Sequence, residues 1–317
     1  MSGMKVLLIG GQAAGVRTLQ LAAQGDVEIV AVMASSARQD GTSLWNFAAK
    51  SGYATWPAEW VRDPNFATQV RDAGVDLLLN VHSMVVIRSE VLEAPRLGSF
   101  NLHPGPLPRY AGLNSVSWAI YRGETRHGVT LHKLVPQIDA GPIVYQEAID
   151  VDGEETGLTL TAKCVDVGTR LVLRLLAAAA RGPTHIPLIP QDLTKREYFG
   201  REVPANGHLS WNCPARQIDR FVRAADFLPF SSSWGAPRTR LGDTTLGVAK
   251  VRLTGRRAHR PPGTVGTHTR GGVEVACADE WLLVRQVLRE GTYIPAQQVL
   301  KAGDCFADCR AKQVSIP

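Results

Sequence analysis

The repeated alternation of short apolar runs with helical segments is the feature that most constrains the fold of this chain. Residues 5–10 and residues 27–33 form two apolar runs of the kind found in strands buried on both faces of a parallel sheet. Residues 75–80 and 99–103 continue the pattern, and segments of helical character lie between the runs. Because strands that alternate with helices indicate βαβ units, we predict an α/β fold with a Rossmann-like, mostly parallel sheet.

The pattern changes after a long helix predicted for residues 159–180. Residues 186–204 contain three prolines and little apolar periodicity, which is typical of a linker. One helix and several short strands follow, which predicts a small β-rich C-terminal domain of the OB-like barrel type. The length of 317 residues suits two domains of about 100–200 residues each. We therefore predict a first domain at 1–185, a linker at 186–204 and a C-terminal domain at 205–317.

Composition places the chain among ordinary globular proteins, since 44% of its residues are hydrophobic and 20% are charged. No stretch approaches the roughly 18–20 apolar residues of a membrane-spanning helix. The N-terminal residues run straight into a predicted strand without the features of a signal peptide, so we expect a cytoplasmic protein with no membrane partner. The five cysteines are odd in number and scattered, which argues against a disulfide framework. Cys305 and Cys309 have no second pair at zinc spacing, so we expect no metal.

Charge is distributed unevenly along the chain, whose formal net charge is +6. Residues 1–190 carry 16 Lys and Arg against 17 Asp and Glu, whereas residues 191–317 carry 19 against 12. The basic second part favours an anionic partner, such as nucleic acid, a phosphorylated substrate or a carboxylate-bearing cofactor. Solubility explains the same surplus equally well.

A glycine-rich turn at residues 10–15 follows the first predicted strand and opens a helix. Dinucleotide-binding proteins place G-x-G-x-x-G at this point, but Gln12 occupies the middle glycine position here. No acidic residue ends the second strand to hold a ribose, which further disfavours a dinucleotide. We interpret the segment as a tight turn whose N–H groups face an anionic part of a substrate, with Gly10 and Gln12 as substrate-binding candidates.

The strand at residues 99–103 carries the most informative side chains. Asn101 and His103 project from the same face because side chains alternate along a strand, and Pro104-Gly105 ends the strand directly after His103. His103 would thus lie at the carboxyl edge of the sheet, where ligands bind in open α/β folds. An amide donor beside an imidazole suits acyl transfer, although for an isolated pair a capping Asn and a structural His are the more common explanation.

Two neighbouring features favour the chemical interpretation of this pair. Three prolines within residues 104–108 stiffen the loop that follows the strand. Asp139 lies in a turn directly before another predicted strand and is a candidate to orient His103 and bias its protonation.

Further segments extend the pattern along most of the chain. They are Asn101-Leu-His103, Pro106 to Gly112, Trp118-Ala-Ile120, Gly123-Glu124, Gly128-Val-Thr130, Asp139-Ala-Gly141, Leu209-Ser-Trp211, Ala215 to Ile218, and Leu282 to Gln286. Together they resemble the 10-formyltetrahydrofolate-dependent formyltransferases. The segments from Leu209 onward are similar to the C-terminal domain of the tRNA-modifying members of that family.

The resemblance implies that Asn101, His103 and Asp139 are the catalytic residues and that 10-formyltetrahydrofolate is the co-substrate. A substrate amine would attack the formyl carbon directly. Asn101 would donate a hydrogen bond to the oxyanion, His103 would move the proton, and Asp139 would set the charge of the imidazole. Neither a covalent enzyme intermediate nor a metal is implied.

The resemblance also implies a folate pocket between two segments of the first domain. Its residues would be Ser83, Met84, Val85, Val86, Ile87, Val135, Gln137 and Ile138. Core packing explains the apolar side chains of Met84, Val86 and Ile87 equally well. His82 and His132 have no motif support, so we expect them to be ordinary core or surface histidines.

Two departures from the tRNA-modifying members bear on the acceptor. Ala111 stands where those enzymes usually have Arg, and the segment after the second strand is short, with one base, Arg38, and one acid, Asp40. The loop instead resembles formyltransferases of secondary metabolism that act on hydroxyornithine in siderophore assembly or on aminoacyl groups in peptide synthetases. We therefore expect a small-molecule amine, either a hydroxyornithine-type amino acid or an amino sugar. The further substrate-binding candidates are Pro106, Arg109 and Tyr110.

Two alternatives remain open from the sequence. The first is the same formyl transfer with tRNA as the acceptor, which the basic C-terminal part favours. The second is a catalytically inactive protein that binds folate or nucleic acid.

Overall fold

The computed structural model describes residues 3–35 and 43–307, except for the side chain of Gln12. Arg38 and Asp40, the two charged residues of the short segment after the second predicted strand, lie outside the described residues. The chain divides into two compact units. Within the described residues, the first unit contains 3–35, 43–115, 126–150 and 161–199, and the second contains 116–125, 151–160 and 200–307.

The first unit is built on a mostly parallel sheet. Its strands are β1 (Met4–Gly10), β2 (Val27–Ala34), β3 (Thr55–Pro57), β4 (Leu77–Val81), β5 (Gly98–His103), β6 (Ala111–Gly112), β7 (Arg126–Lys133), β8 (Ile143–Asp150) and β9 (Tyr198–Phe199). Seven of them form one sheet in the order β3-β2-β1-β4-β5-β7-β8, in which β7 and β8 are antiparallel additions at the β5 edge. The predicted α/β class with a Rossmann-like sheet is confirmed.

Helices connect the parallel strands. They are α1 (Gln12–Ala22), α2 (Leu44–Lys50), α3 (Phe66–Asp72) and α4 (Ser89–Leu92), and α6 (Gly157–Ala180) follows β8. Ser43 caps α2 by accepting a hydrogen bond from the Asn46 N–H at 3.2 Å. Within the two described ranges, no helix is both long and apolar enough to cross a bilayer.

Burial explains why the strands appear as uninterrupted apolar runs in the sequence. Every residue of β4 is buried, and Leu78 packs with Leu7 of β1, Val70 of α3 and Val91 of α4 in one core cluster. Asn80 is the one polar residue of β4. A buried polar side chain in an otherwise apolar strand needs hydrogen-bond partners, and those of Asn80 lie in the candidate site.

The second unit is dominated by an antiparallel sheet. Its helices are α5 (Ser115–Arg122), apart from its first residue, and α7 (Ala215–Ala225); its strands are β10 (Arg238–Leu241), β11 (Thr244–Arg257), β12 (Val265–Thr269), β13 (Gly272–Ala276), β14 (Glu280–Arg289) and β15 (Thr292–Pro295). The strand order is β10-β11-β14-β13-β12, and β15 also pairs with β14. Trp211 and Phe306 stack in its core with ring centroids 4.9 Å apart. The predicted β-rich second part is confirmed.

The segment interpreted from the sequence as a linker is paired with the first unit along residues 189–199. Ile189 and Ile143 exchange backbone hydrogen bonds of 2.8 and 2.9 Å. Further along, β9 pairs in parallel with β6. This stretch therefore contributes to the same unit as the candidate site.

The cysteines differ in part from the expectation of no disulfide framework. Cys164, Cys213 and Cys277 carry thiols, whereas Cys305 is disulfide-bonded. Burial raises the pKa of the Cys277 thiol, which keeps it protonated. Cys309 lies outside the described residues.

Candidate active site

Three neighbouring strands bring polar side chains together at their ends. Asn80 of β4 lies opposite Asn101 of β5, and Asn101 lies opposite His132 of β7. His103 follows two residues along β5, so its side chain shares a face with that of Asn101. All four side chains are buried, which places a polar cluster inside the carboxyl edge of the sheet.

Asp139 completes this cluster from the turn between β7 and β8. Its Oδ2 lies 3.5 Å from His103 Nδ1 and accepts a hydrogen bond of 2.8 Å from the Gly112 N–H. Its Oδ1 lies 3.3 Å from His132 Nε2 and 3.4 Å from Asn101 Nδ2. The structure thus brings together the three predicted catalytic side chains around one buried carboxylate.

The surroundings of Asp139 and His103 shift the pKa of both side chains and so set their charges at neutral pH. Burial alone would raise the pKa of the Asp139 carboxyl, but His103, His132 and the Gly112 N–H outweigh burial and hold this pKa well below its usual range. Burial lowers the pKa of His103 below 6.5, although the Asp139 carboxylate and the Tyr110 carbonyl oppose that effect. At neutral pH the carboxylate is ionised, and the imidazole is largely neutral and able to accept a proton.

The partners of His103 define which ring nitrogen carries its proton. Nε2 lies 2.7 Å from the Tyr110 carbonyl oxygen, which can only accept, so Nε2–H is the donor. In the neutral ring, Nδ1 therefore holds the lone pair and faces Asp139. Gly105 packs against the same ring, because a Cβ at that position would lie 2.6 Å from His103 Nε2.

A directed chain of amide hydrogen bonds orients Asn101. Asn101 Nδ2 faces Asp139 Oδ1, and an ionised carboxylate can only accept, so the nitrogen of this amide is on the Asp139 side. Its Oδ1 then accepts a hydrogen bond of 2.9 Å from Asn80 Nδ2. Asn80 Oδ1 is buried and makes no hydrogen bond within residues 3–35 and 43–307. Asn80 therefore reinforces the orientation of the Asn101 amide that Asp139 sets.

His132 is a site residue that the sequence interpretation missed. Its Nδ1 lies 3.0 Å from the Lys133 carbonyl oxygen, so Nδ1 carries a proton. Its Nε2 lies 3.1 Å from Asn101 Nδ2 and faces Asp139. The histidine is a core residue, as expected, but it also contacts two of the predicted catalytic residues. The antiparallel pairing of β7 with β5, which no motif signals, brings it there.

His82 was likewise expected to be an ordinary core or surface residue. It follows β4 in a left-handed conformation with φ 54°. Burial first, and nearby His103 second, lower the pKa of His82 to about 4, so its ring is neutral at pH 7. Its Nε2 is buried and has no hydrogen-bond partner in the part of the chain that the structure describes.

The proline loop after β5 is held by side chains of β7 and β8. Thr130 Oγ1 donates to the Gly105 carbonyl at 2.7 Å and accepts from the Leu107 N–H at 3.1 Å. Gln146 Nε2 donates to the Leu107 carbonyl at 2.8 Å. These bonds give the loop a defined shape, as its prolines predict.

The predicted folate residues divide into exposed and buried groups. Met84 and Val86 are 73% and 63% exposed, so core packing, the alternative weighed for them, is wrong. Ile138, in the turn that carries Asp139, is also exposed, at 44%. Ile87 belongs to the core cluster instead. Exposed apolar side chains beside a polar cluster suit the wall of a ligand pocket.

The other predicted folate residues are Ser83, Val85, Val135 and Gln137. Ser83 Oγ accepts a hydrogen bond of 3.3 Å from the Val85 N–H, which shapes the turn after β4. Val85 and Val135 are half-buried, and Gln137 is exposed.

Three of the predicted substrate-binding residues differ in the exposure of their side chains. The Tyr110 ring is buried and stacks on Phe199 at 5.4 Å, so its carbonyl rather than its ring faces the site. Arg109 is exposed, and its Nε lies 2.9 Å from Glu197 Oε1. Pro106 is half-buried.

The remaining two candidates lie in the glycine-rich turn. Gly10 allows close packing of α1 and α2 on β1, because a Cβ there would meet Leu44 at 2.9 Å and Gly15 at 3.2 Å. The backbone of Gln12 begins α1, and its side chain lies outside what the structure describes.

A buried amide, imidazole and carboxylate at the carboxyl edge of a Rossmann-like sheet define a site suited to acyl transfer. The family comparison agrees: residues 4–176 match the model described as "Formyl transferase", and residues 203–303 match "Formyl transferase, C-terminal domain". The first match alone covers more than half of the chain, so this protein belongs to the formyl transferase family. The family predicted from the sequence, and with it the enzyme class, is confirmed.

Solved structures with the same fold include sugar N-formyltransferases. WlaRD, a sugar 3N-formyl transferase crystallised in the presence of dTDP and 5-N-formyl-THF, is 16% identical with a TM-score of 0.65, covering 88% of this chain and 96% of WlaRD. The N-formyltransferase from Helicobacter canadensis, in complex with folinic acid and dTDP-3-aminofucose, is 18% identical with a TM-score of 0.67, covering 89% of this chain and 98% of that protein.

A third similar structure is HypX from Aquifex aeolicus in complex with tetrahydrofolic acid, at 16% identity and a TM-score of 0.66. The match covers 94% of this chain but 47% of HypX. At these identities, the likeness to all three proteins concerns the fold.

Proposed function

We propose that this protein transfers the formyl group of 10-formyltetrahydrofolate to the amine of a small molecule in the cytoplasm. The observation that carries the proposal is the buried cluster of Asn101, His103 and Asp139 in a chain of the formyl transferase family. Residues 1–185 would form the catalytic domain, and residues 186–204, of which 189–199 pair with it, would lead to a C-terminal domain at 205–317.

The reaction begins with attack of the amine nitrogen on the formyl carbon, which places negative charge on the formyl oxygen. Asn101 donates a hydrogen bond to this oxyanion, and one such donor supplies about 2.7–4 kcal/mol. Its two N–H groups face His132 and Asp139, at 3.1 and 3.4 Å. One of them turns to the oxyanion when substrate binds, and the longer and weaker bond, to Asp139, is the one we expect to yield.

Proton transfer falls to His103. Its neutral ring has the Nδ1 lone pair available, and the proton released by the attacking amine moves there. Asp139 stabilises the resulting imidazolium across 3.5 Å. The same proton then passes to the folate nitrogen as the carbon–nitrogen bond to folate breaks, which releases tetrahydrofolate and the formylated amine.

The co-substrate is supported by the exposed apolar surface of Met84, Val86 and Ile138, which suits a pterin ring. WlaRD and HypX, which share this fold, were crystallised with 5-N-formyl-THF and tetrahydrofolic acid. We propose that Ser83 to Ile87 and Val135 to Ile138 line the folate pocket.

The acceptor is proposed to be a hydroxyornithine-type amino acid or an amino sugar. WlaRD, which shares this fold, is a sugar 3N-formyl transferase. The Helicobacter canadensis N-formyltransferase was crystallised in complex with dTDP-3-aminofucose. Both similarities favour a small amine as the acceptor. Gly10, Gln12, Pro106, Arg109 and Tyr110 are proposed to contribute to its binding. A role in siderophore or other secondary metabolism would follow from the hydroxyornithine alternative.

The test is incubation with 10-formyltetrahydrofolate and a panel of hydroxyornithine, nucleotide-linked amino sugars and methionyl-tRNA, with products read by mass spectrometry. A formylated small molecule at rates that depend on enzyme supports the proposal. Exclusive formylation of the tRNA, with binding that weakens steeply as salt increases, would replace it with the tRNA alternative. Absence of any formylated acceptor would favour the inactive binding protein.

A further inference from the structure

The connecting segment, residues 189–199, contacts both loops that carry the candidate site. It begins where Ile189 pairs with Ile143 and ends in β9. The family matches cover residues 4–176 and 203–303, so neither covers this segment. The contacts of this segment with the two loops lie within the first unit.

The first set of contacts holds the turn around Asp139. Gln191 Nε2 donates to the Asp139 carbonyl at 3.0 Å and to the Gly141 carbonyl at 2.6 Å. Arg196 Nη2 donates to the Ile138 carbonyl at 2.9 Å. Three carbonyls in the four residues 138–141 are thus held by two side chains of the connecting segment.

The second set of contacts holds the loop that binds the Asp139 carboxylate. The Ala111 N–H donates to the Glu197 carbonyl at 2.9 Å, and the Leu113 N–H donates to the Phe199 carbonyl at 2.8 Å. Gly112, between them, donates its N–H to Asp139 Oδ2 at 2.8 Å. The connecting segment therefore fixes both the backbone and the carboxylate of Asp139.

This support matters because Asp139 adopts a conformation that is costly for a residue with a side chain. Its φ is 52°, in the left-handed region, where non-glycine residues persist when their surroundings hold them. Gln191 Oε1 is buried and makes no hydrogen bond within the described ranges, so the hydrogen bonds of this side chain go to the Asp139 turn.

We propose that Gln191 and Arg196 are positioning residues, which hold the Asp139 carboxylate at the distance from His103 that formyl transfer requires. The inference rests on the proposed function, because it concerns the same site. It makes residues 189–199 part of the active centre rather than a spacer between domains.

The direct test measures the interaction between Asp139 and His103 by NMR titration of the His103 ring. The signal is assigned by its loss in His103→Gln. The charged and titratable groups that face His103 are Asp139, His132 and His82, so Asp139→Asn isolates the contribution of the carboxylate. This readout does not depend on turnover, and it therefore separates failure of this inference from failure of the proposed function.

In the wild-type background, Asp139→Asn is expected to lower the pKa of His103 by about 1 pH unit. In the Gln191→Leu background, the same substitution should lower it by less than half as much, because the carboxylate is no longer held near the ring. The control Lys195→Ala alters an exposed side chain of the same segment and should leave the full shift. Arg196→Met provides a second background if Gln191→Leu does not fold.

An Asp139→Asn shift of the same size in the Gln191→Leu, Arg196→Met and wild-type proteins would overturn the inference. Steady-state rates give a second readout. If Gln191 acts through Asp139, Gln191→Leu lowers kcat about tenfold in the wild-type background and has no further effect after Asp139→Asn. Equal, additive losses in both backgrounds would also contradict it.

Discussion

Replacement of Asn80 by aspartate should disable the Asn101 amide without removing Asn101. Asn80 Nδ2 donates to Asn101 Oδ1 at 2.9 Å, and this bond directs the Asn101 nitrogen toward Asp139 and His132. An ionised carboxylate at position 80 cannot donate, so it faces Asn101 Oδ1 as a second acceptor. The Asn101 oxygen then faces a carboxylate in either orientation of the amide, so the N–H groups are no longer held toward the reacting formyl group.

The expected loss follows from the number of donors affected. Removing one oxyanion donor costs about 2.7–4 kcal/mol of transition-state stabilisation, so Asn80→Asp should lower kcat by about 10²–10³. Asn80→Leu removes the same hydrogen bond but leaves Asp139 to hold the amide. The loss of one neutral hydrogen bond, about 1 kcal/mol, then predicts a decrease of about fivefold. Asn80→Asp, although it is isosteric with the wild type, should therefore lower kcat more than Asn80→Leu does.

The assay is steady-state formylation as a function of pH, with urea unfolding of each variant. Burial and Asp139 raise the pKa of the introduced carboxyl, and only its ionised form lacks a donor, so the expected loss is that of the high-pH limit. Asn65→Asp makes the same change at an exposed residue and should retain wild-type kcat. A folded Asn80→Asp protein with more than a tenth of the wild-type kcat would refute the orienting role of Asn80.

Three further predictions follow from the same geometry. His103→Ala should lower kcat by about 10²–10⁴ while the exposed control His185→Ala does not, and full turnover by His103→Ala in the formylation assay would rule out the proposed proton transfer. Gly112→Ala should lower the free energy of unfolding by about 2–3 kcal/mol, because the φ of Gly112 is 90° and the added Cβ would overlap the Phe199 carbonyl. The control Gly153→Ala, at an open position, should leave the free energy of unfolding unchanged. A urea midpoint of Gly112→Ala equal to that of the wild type would contradict this prediction. His82→Asn should flatten the pH dependence of the free energy of unfolding. The unfolded ring binds a proton below pH 6.5 and the folded ring only near pH 4, so the wild-type free energy of unfolding decreases by about 1 kcal/mol per pH unit as pH falls between these values. An unchanged slope in urea titrations of the variant would show that His82 does not contribute.

The sequence predicted the parts of the site that lie on one strand or in one motif. Asn101 and His103 followed from the alternation of side chains and from the stop at Pro104, and Asp139 from its position in a turn before a strand. Asn80 and His132 were missed because they reach the site through the pairing of β4 and β7 with β5. Strand register depends on contacts between segments that are distant in the sequence, and neither Asn80 nor His132 belongs to a local sequence motif.

The connecting segment shows the same limit at the level of the fold. Its prolines and low apolar periodicity are typical of a linker, and no local signal in its sequence indicates otherwise. Its role depends on backbone bonds between β6 and β9 and on the Gln191 side chain, which are determined by the packing of distant segments. The exposure of Met84 and Val86 was also beyond the sequence, because an apolar residue has the same pattern in a core and in a pocket wall.

The most direct test of the central claim follows a labelled formyl group from 10-formyltetrahydrofolate. In single-turnover experiments with an acceptor identified from the amine panel, we predict that the label appears in the formylated amine while tetrahydrofolate is released in equal amount. Asn101→Ala, His103→Ala and Asp139→Asn should each slow this transfer by at least about 10². Label found in formate with the amine unchanged, or transfer at the wild-type rate by all three variants, would contradict the account.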